Sequence, residues 1–138
     1  MRKFILDINP ATGEVIEKIK CSSPGEVASG VKLARKAFKI WSKTPIKKRI
    51  ALFKNISRDL LKEKKEIGKL ITKEMGKVYK SAVGECEGTA YAIEENIKLA
   101  EIAAETEILK EGNTTTELHR VPLGVVAAIT PWNFPVGM

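Results

Sequence analysis

Apolar residues recur at two different periods along the chain, and the changes of period mark its elements. In residues 4–19, FILDINPATGEVIEKI, two β-prone runs flank Asn9-Pro10-Ala11-Thr12-Gly13. Pro fixes φ there and Gly permits φ > 0, which predicts strand, turn, strand. The period then lengthens. Ser23 suits a helix N-cap, with Pro24 in the first helical position and Glu26 three residues after the cap. Val27, Val31, Ala34, Phe38 and Trp41 follow at spacings of four and three, which predicts an amphipathic helix of about four turns.

A second helix is expected with Thr44 as N-cap and Pro45 in its first position, carrying Ile46, Ile50, Phe53, Ile56 and Leu60 on one face. A bend or restart is expected near the charged KEKKE. The stripe resumes through Ile67, Leu70, Ile71 and Met75, and Gly76 is a natural C-cap. A third helix is expected from about Lys80 to Ile108, with Cys86, Ala90, Ile93, Ile97, Ala100 and Ala104 on one stripe and alanines that permit close packing. Gly112 and Asn113 are expected to end it. TTTELHRV alternates and is Thr-rich, as a strand is, and Pro122-Leu123-Gly124 turns the chain. VVAAIT, residues 125–130, is continuously apolar, the pattern of a strand buried on both faces of a parallel sheet. No repeat and no low-complexity linker interrupts the order.

Composition narrows the class. With 43% hydrophobic and only 6% aromatic residues, 138 residues suit one modest aliphatic domain of α or α/β type. The apolar stretch in MRKFILDINP is too short for a signal peptide or a membrane span, and no other run approaches about 18 apolar residues. A cytoplasmic protein without a membrane partner is the expectation. The net charge of +7 raises a nucleic-acid reading. It is disfavoured because the Lys and Arg residues fall at the polar phases of helices, interleaved with Asp and Glu, with no aromatic platform beside them. Cys21 and Cys86 lie in no CxxC or Cys/His spacing, so both are expected to be reduced structural or surface thiols, with no metal.

The chemistry concentrates at the end of VVAAIT. A buried strand running into Pro131-Trp132-Asn133-Phe134-Pro135 would place its last side chains at the carboxyl edge of a sheet, where α/β folds bind ligands. Asn133 offers an uncharged NH₂ donor able to stabilise a developing oxyanion without titrating, walled by Trp132 and Phe134. Spacing leaves a second account open, in which Asn133 bonds the backbone of its own loop.

RVPLGVVAAITPWNFPVGM resembles the stretch of the aldehyde dehydrogenase superfamily that enters the coenzyme-binding sheet and ends in the PWNFP motif. Upstream segments resemble the family in the same order: INPATGEVIEKIKCSSPGEV its N-terminal hairpin and first helix start, AFKIWSKTPIKKRIALFKNISRDLLKEKKEIGKLITKEMGK its next helices and E-x-G-K turn at Glu74-Met75-Gly76-Lys77, and SAVGECEGTAYAIEENIKLA the long helix that follows. The resemblance implies an α/β fold, the N-terminal part of the family's fold. It would be mostly helical, with a leading β-hairpin and the first strand of a Rossmann-like parallel sheet. It implies NAD- or NADP-dependent oxidation of an aldehyde to an acid through a thiohemiacetal on a cysteine, in an enzyme that works as a dimer or tetramer. Asn133 would donate its amide to the hemithioacetal oxygen, and Ile129, Thr130, Pro131 and Trp132 would line the coenzyme's path.

Residues 1–112 would then belong to the coenzyme-binding domain, 113–123 to the start of an oligomerisation ribbon, and 124–138 to the first coenzyme-sheet strand and its loop. Family members are considerably longer. The chain lacks the stretch that holds their coenzyme-discriminating positions, glycine turn, general-base Glu and nucleophilic Cys, and neither Cys21 nor Cys86 stands in the nucleophile's context. It reads as the N-terminal portion of such an enzyme, with two alternatives: a structural piece complementing a separate catalytic chain, and a basic binding module. Semialdehyde, aliphatic and phosphorylated aldehydes are not separable on these residues. An oxyanion donor without a nucleophile has nothing to stabilise, so the purified chain is expected to reduce no coenzyme with a panel of aldehydes. Coenzyme reduction that disappears on alkylating Cys21 or Cys86 would overturn this.

Overall fold

The computed structural model describes residues 3–138. Its N-terminal strands β1 (Phe4–Ile8) and β2 (Val15–Lys20) form an antiparallel hairpin in which Phe4 faces Lys20 and Asp7 faces Glu17, with an irregularity between Asp7 and Ile8. The turn is built as its residues suggest. The Asn9 side-chain oxygen accepts from the Ala11 N–H at 2.9 Å, and Gly13 takes φ +74°.

Helix α1 (Pro24–Trp41) begins with the expected capping box: the Glu26 N–H donates to Ser23 Oγ at 3.2 Å and the Ser23 N–H donates to Glu26 Oε2 at 2.7 Å. The Ser23 N–H, helped by Lys20, brings the Glu26 carboxyl down to about 2. No residue of α1 is fully buried: Val27, Val31 and Trp41 of its apolar stripe are exposed, and Ala34 and Phe38 are half-buried.

Helix α2 (Ile46–Met75) runs unbroken for 30 residues, about 45 Å at the usual rise. The helix does not restart at KEKKE, because Lys and Glu are good helix formers and pairs such as Lys69–Glu66 at 2.7 Å lace the turn. The cap also differs from expectation. Pro45 holds the N-cap position, and the Thr44 hydroxyl donates back to the Ile40 carbonyl at 3.1 Å. At the other end Gly76 is the expected left-handed C-cap, φ +72°, its N–H donating to the Thr72 carbonyl. A Cβ there would stand 3.0 Å from Pro10 Cγ, so the N-terminal turn abuts the end of α2.

Helix α3 (Tyr79–Ala103) returns antiparallel to α2, as the three-residue link of Gly76, Lys77 and Val78 requires. The core lies in this seam. Leu60 and Ile71 of α2 meet Ala82, Cys86 and Ala90 of α3, and the Ser57 hydroxyl donates to the Ala90 carbonyl at 3.1 Å. Gly68 lets the backbones approach: a Cβ there would stand 2.7 Å from Val83 Cγ2 and 3.3 Å from the Val83 nitrogen.

Three expectations are corrected beyond this point. The third helix stops at Ala103 instead of reaching Ile108, because Glu107–Glu111 forms strand β3 and pairs with β4 (Thr114–Leu118), Glu107 opposite Leu118 and Glu111 opposite Thr114. Gly112 and Asn113 are therefore a hairpin turn and not a helix terminator; Gly112, φ +57°, is the first-position glycine that suits a two-residue loop. Finally, Val125–Thr130 joins no sheet, and the described residues contain only the two antiparallel hairpins, with no parallel sheet. A strand exists only through a ladder partner, and neither hairpin pairs with this segment. The α/β character stands, as three helices and two strand pairs.

The seam gives a paired test. Gly68→Ala gains about 1 kcal/mol of helix propensity but must overpack against a stiff Val, at about 1–3 kcal/mol, so it is expected to lower the urea midpoint. Gly30→Ala, in α1 with nothing within 4 Å of the new Cβ, is expected to raise stability by about 0.5–1 kcal/mol. A Gly68→Ala midpoint above the parent's would show that the helices are not in close contact there.

Candidate functional site

Residues 131–138 fold back over the start of α3 and are fixed there chiefly by two charged side chains. Lys77 leaves the left-handed turn at Gly76 and Glu85 lies in the second turn of α3. Their side chains form an ion pair, 17% and 4% exposed respectively. Both also bind the returning chain. The Lys77 ammonium donates to the Asn133 backbone carbonyl at 3.1 Å and sits 4.2 Å from the centre of the Phe134 ring. Glu85 Oε1 accepts from the N–H groups of Val136 and Gly137 at 3.0 and 3.2 Å. Val136 packs on the α2–α3 core, and the Met138 N–H closes a turn onto the Phe134 carbonyl at 3.1 Å.

The electrostatics agree with this geometry. Burial pushes the Glu85 carboxyl upward, but the Lys77 ammonium and the two backbone N–H donors outweigh it and hold the group below the usual carboxylate range. Nearly all the lone pairs of a nearly buried carboxylate are thereby satisfied, which is the condition for keeping it charged.

The residues singled out in the sequence divide into two sets. Asn133 lies inside the clamped loop, held through its carbonyl, with its side chain on an exposed residue. That bond runs to Lys77 and not to the backbone of the loop itself. Ile129, Thr130, Pro131 and Trp132 lie on the unpaired approach to the loop and are exposed, Ile129 by 97% and Trp132 by 77%. They form an open apolar strip and not a walled cleft, because no sheet flanks it. The strip offers planar and aliphatic surface, and no charged side chain lies in residues 129–135 to meet a phosphate.

Cys86 is fully buried in the seam, and burial followed by the neighbouring Glu85 charge pushes its thiol upward, the opposite of nucleophile activation. Cys21 ends the N-terminal hairpin, its N–H on the Lys3 carbonyl. Lys77 and Glu85 were not marked by sequence pattern as site residues. Lys77 carries two signals, its place directly after a C-cap glycine and its position closing the E-x-G-K turn.

The chain is similar to known proteins along nearly its whole length. A family model described as "Aldehyde dehydrogenase family" matches residues 2–138. The chain is similar to malonate-semialdehyde dehydrogenase 2 of Geobacillus thermodenitrificans, with 37% identity over 136 residues, covering 93% of this chain and 27% of that protein. Among solved structures it resembles the NADP-dependent glyceraldehyde-3-phosphate dehydrogenase of Bacillus halodurans complexed with NADP, at TM-score 0.89 and 35% identity, over 97% of this chain and 29% of that one. It also resembles the glyceraldehyde-3-phosphate dehydrogenase of Methanocaldococcus jannaschii complexed with NADP, at TM-score 0.85 and 31% identity, over 99% and 30%. The chain thus spans roughly a quarter to a third of each relative's length.

The clamp predicts a pH dependence. Glu85 has a depressed folded-state pKa, so its contribution is fully present above the ordinary carboxylate value of about 4.3 and is lost as pH falls through the lower folded value. Phe134 ring resonances, displaced by the ammonium over the ring, are expected to move to random-coil positions across that acid window while α2–α3 helicity persists. Ring shifts that stay constant until the helices melt would contradict the assignment.

Proposed function

Because the chain belongs to the aldehyde dehydrogenase family, we propose that it is the N-terminal portion of an NAD(P)-dependent enzyme that oxidises an aldehyde to a carboxylic acid, with Asn133 as oxyanion donor. The observation that carries this reading is the way the loop is held. Its anchors are the Asn133 carbonyl, the Phe134 ring and the N–H groups of Val136 and Gly137, so fixing the loop leaves the Asn133 amide unspent. A neutral amide on a rigid loop stabilises developing negative charge at no cost in reorganisation and without titrating.

The reacting cysteine and the base would come from sequence that the longer relatives have beyond the matched quarter. Addition of that thiolate to the carbonyl carbon places negative charge on the former carbonyl oxygen, and Asn133 donates to it. The bound nicotinamide coenzyme supplies a hydride acceptor. Ile129, Thr130, Pro131 and Trp132 would line the path of its nicotinamide end, and the similarity to relatives complexed with NADP supports that class of coenzyme. The relatives named for malonate semialdehyde and glyceraldehyde 3-phosphate keep several aldehyde classes in view. The β3–β4 hairpin would start the ribbon through which the intact enzyme self-associates.

In a complete enzyme carrying this chain, Asn133→Ala is expected to lower kcat by about 10²–10³ with coenzyme affinity much less affected. Turnover near that of the parent enzyme would remove the oxyanion role and favour a purely structural loop.

A further inference from the structure

We propose that Lys77 and Glu85 are positioning residues for Asn133, acting as a two-sided clamp that fixes the loop relative to α3; the catalytic part of this inference rests on the oxyanion reading above. The two side chains seize the chain on either side of Phe134. Lys77 holds the Asn133 carbonyl itself, at 3.1 Å, and lies 4.2 Å from the Phe134 ring centre. Glu85 holds the Val136 and Gly137 N–H groups with one oxygen and Lys77 with the other.

An ion pair that only pinned the α2–α3 link would leave its remaining donors and acceptors to solvent. Here they go to backbone groups 51 to 56 positions away in sequence. Those contacts constrain the loop at residues 133, 136 and 137, while Val136 seats on the core beneath. The carboxylate is 4% exposed, so removing either partner leaves the other charge poorly solvated and does not merely delete one bond. The Asn133 carbonyl and its amide nitrogen belong to one residue. A shift of the carbonyl on Lys77 therefore moves the donor, and a misplacement of about 1 Å at a reacting centre can cost on the order of 10²-fold in rate.

Two measurements test the proposal. In the 138-residue chain, Glu85→Ala is expected to speed amide exchange at Val136 and Gly137 by about tenfold or more, the order for losing charge-assisted hydrogen bonds, with Ala90 in the helix unchanged. Lys77→Met lies in the link outside the core and is expected to shift the Asn133 amide resonances with helicity intact, while Lys77→Arg restores them. Unchanged exchange and unchanged Asn133 resonances in both variants would overturn the clamp. In a complete enzyme carrying the chain, Lys77→Met is expected to lower kcat on the order of 10²-fold with KM for coenzyme little changed. Lys77→Arg should recover part of the loss, and Asn133→Ala/Lys77→Met should be no slower than Asn133→Ala alone. Losses that multiply, or a Lys77→Met enzyme as fast as its parent where Asn133→Ala is slow, would overturn positioning. If Asn133→Ala itself turns over normally, the oxyanion reading fails, and the exchange and resonance measurements alone decide whether the clamp places the loop.

Discussion

Two long helices lie against each other closely only where side chains nearly vanish from the seam between them, and the architecture of this chain depends on that constraint. Gly68, Ala82, Cys86 and Ala90 supply the thin stretch, with Leu60 and Ile71 filling its flanks. Ser57 crosses the seam to the Ala90 carbonyl, satisfying its own hydroxyl in a dry place. Once the register is fixed, Lys77 and Glu85 come together at the end of the hairpin. One leaves the link and the other lies two turns into α3. The site is thus an outgrowth of helix packing: close approach sets the register, the register sets the ion pair, and the ion pair receives the returning loop.

The rest of the molecule is loosely tied to this unit. Helix α1 buries no residue, and the β3–β4 hairpin is exposed along its length. Val121, Leu123, Val126 and Ile129 leave a run of apolar surface open before the loop. Contiguous exposed apolar residues mark surfaces that meet other protein, and the chain spans only a short share of each longer relative. Within the described residues no helix is long and apolar enough to cross a membrane.

What could be read from the residues was what local chemistry decides. Ser23-Pro24-Glu26 announced a capping box because all its partners lie within one turn, and Gly76 announced a helix end because a left-handed residue is needed there. Reading failed where the decisive partner is remote. Ile108 fits a helical stripe and a strand equally well, and pairing with Glu117 decides for the strand. Val125–Thr130 has the composition of a core strand, but composition supplies no neighbour to bond. PWNFP marked Asn133 through resemblance, while Glu85, in an ordinary-looking GECEGT, acquires its importance only from backbone groups 51 and 52 positions later.

That separation carries a consequence for folding order. The α2–α3 hairpin closes across three residues, whereas seating the loop closes more than fifty and carries a larger loop-closure entropy. Contacts of this span form after local ones and belong to the units that open first while the core remains intact. The molecule therefore has a late-closing, early-opening latch at the very loop that bears Asn133. The fraction of time Asn133 spends in place is governed by the latch equilibrium, a quantity that global melting of the helices does not measure.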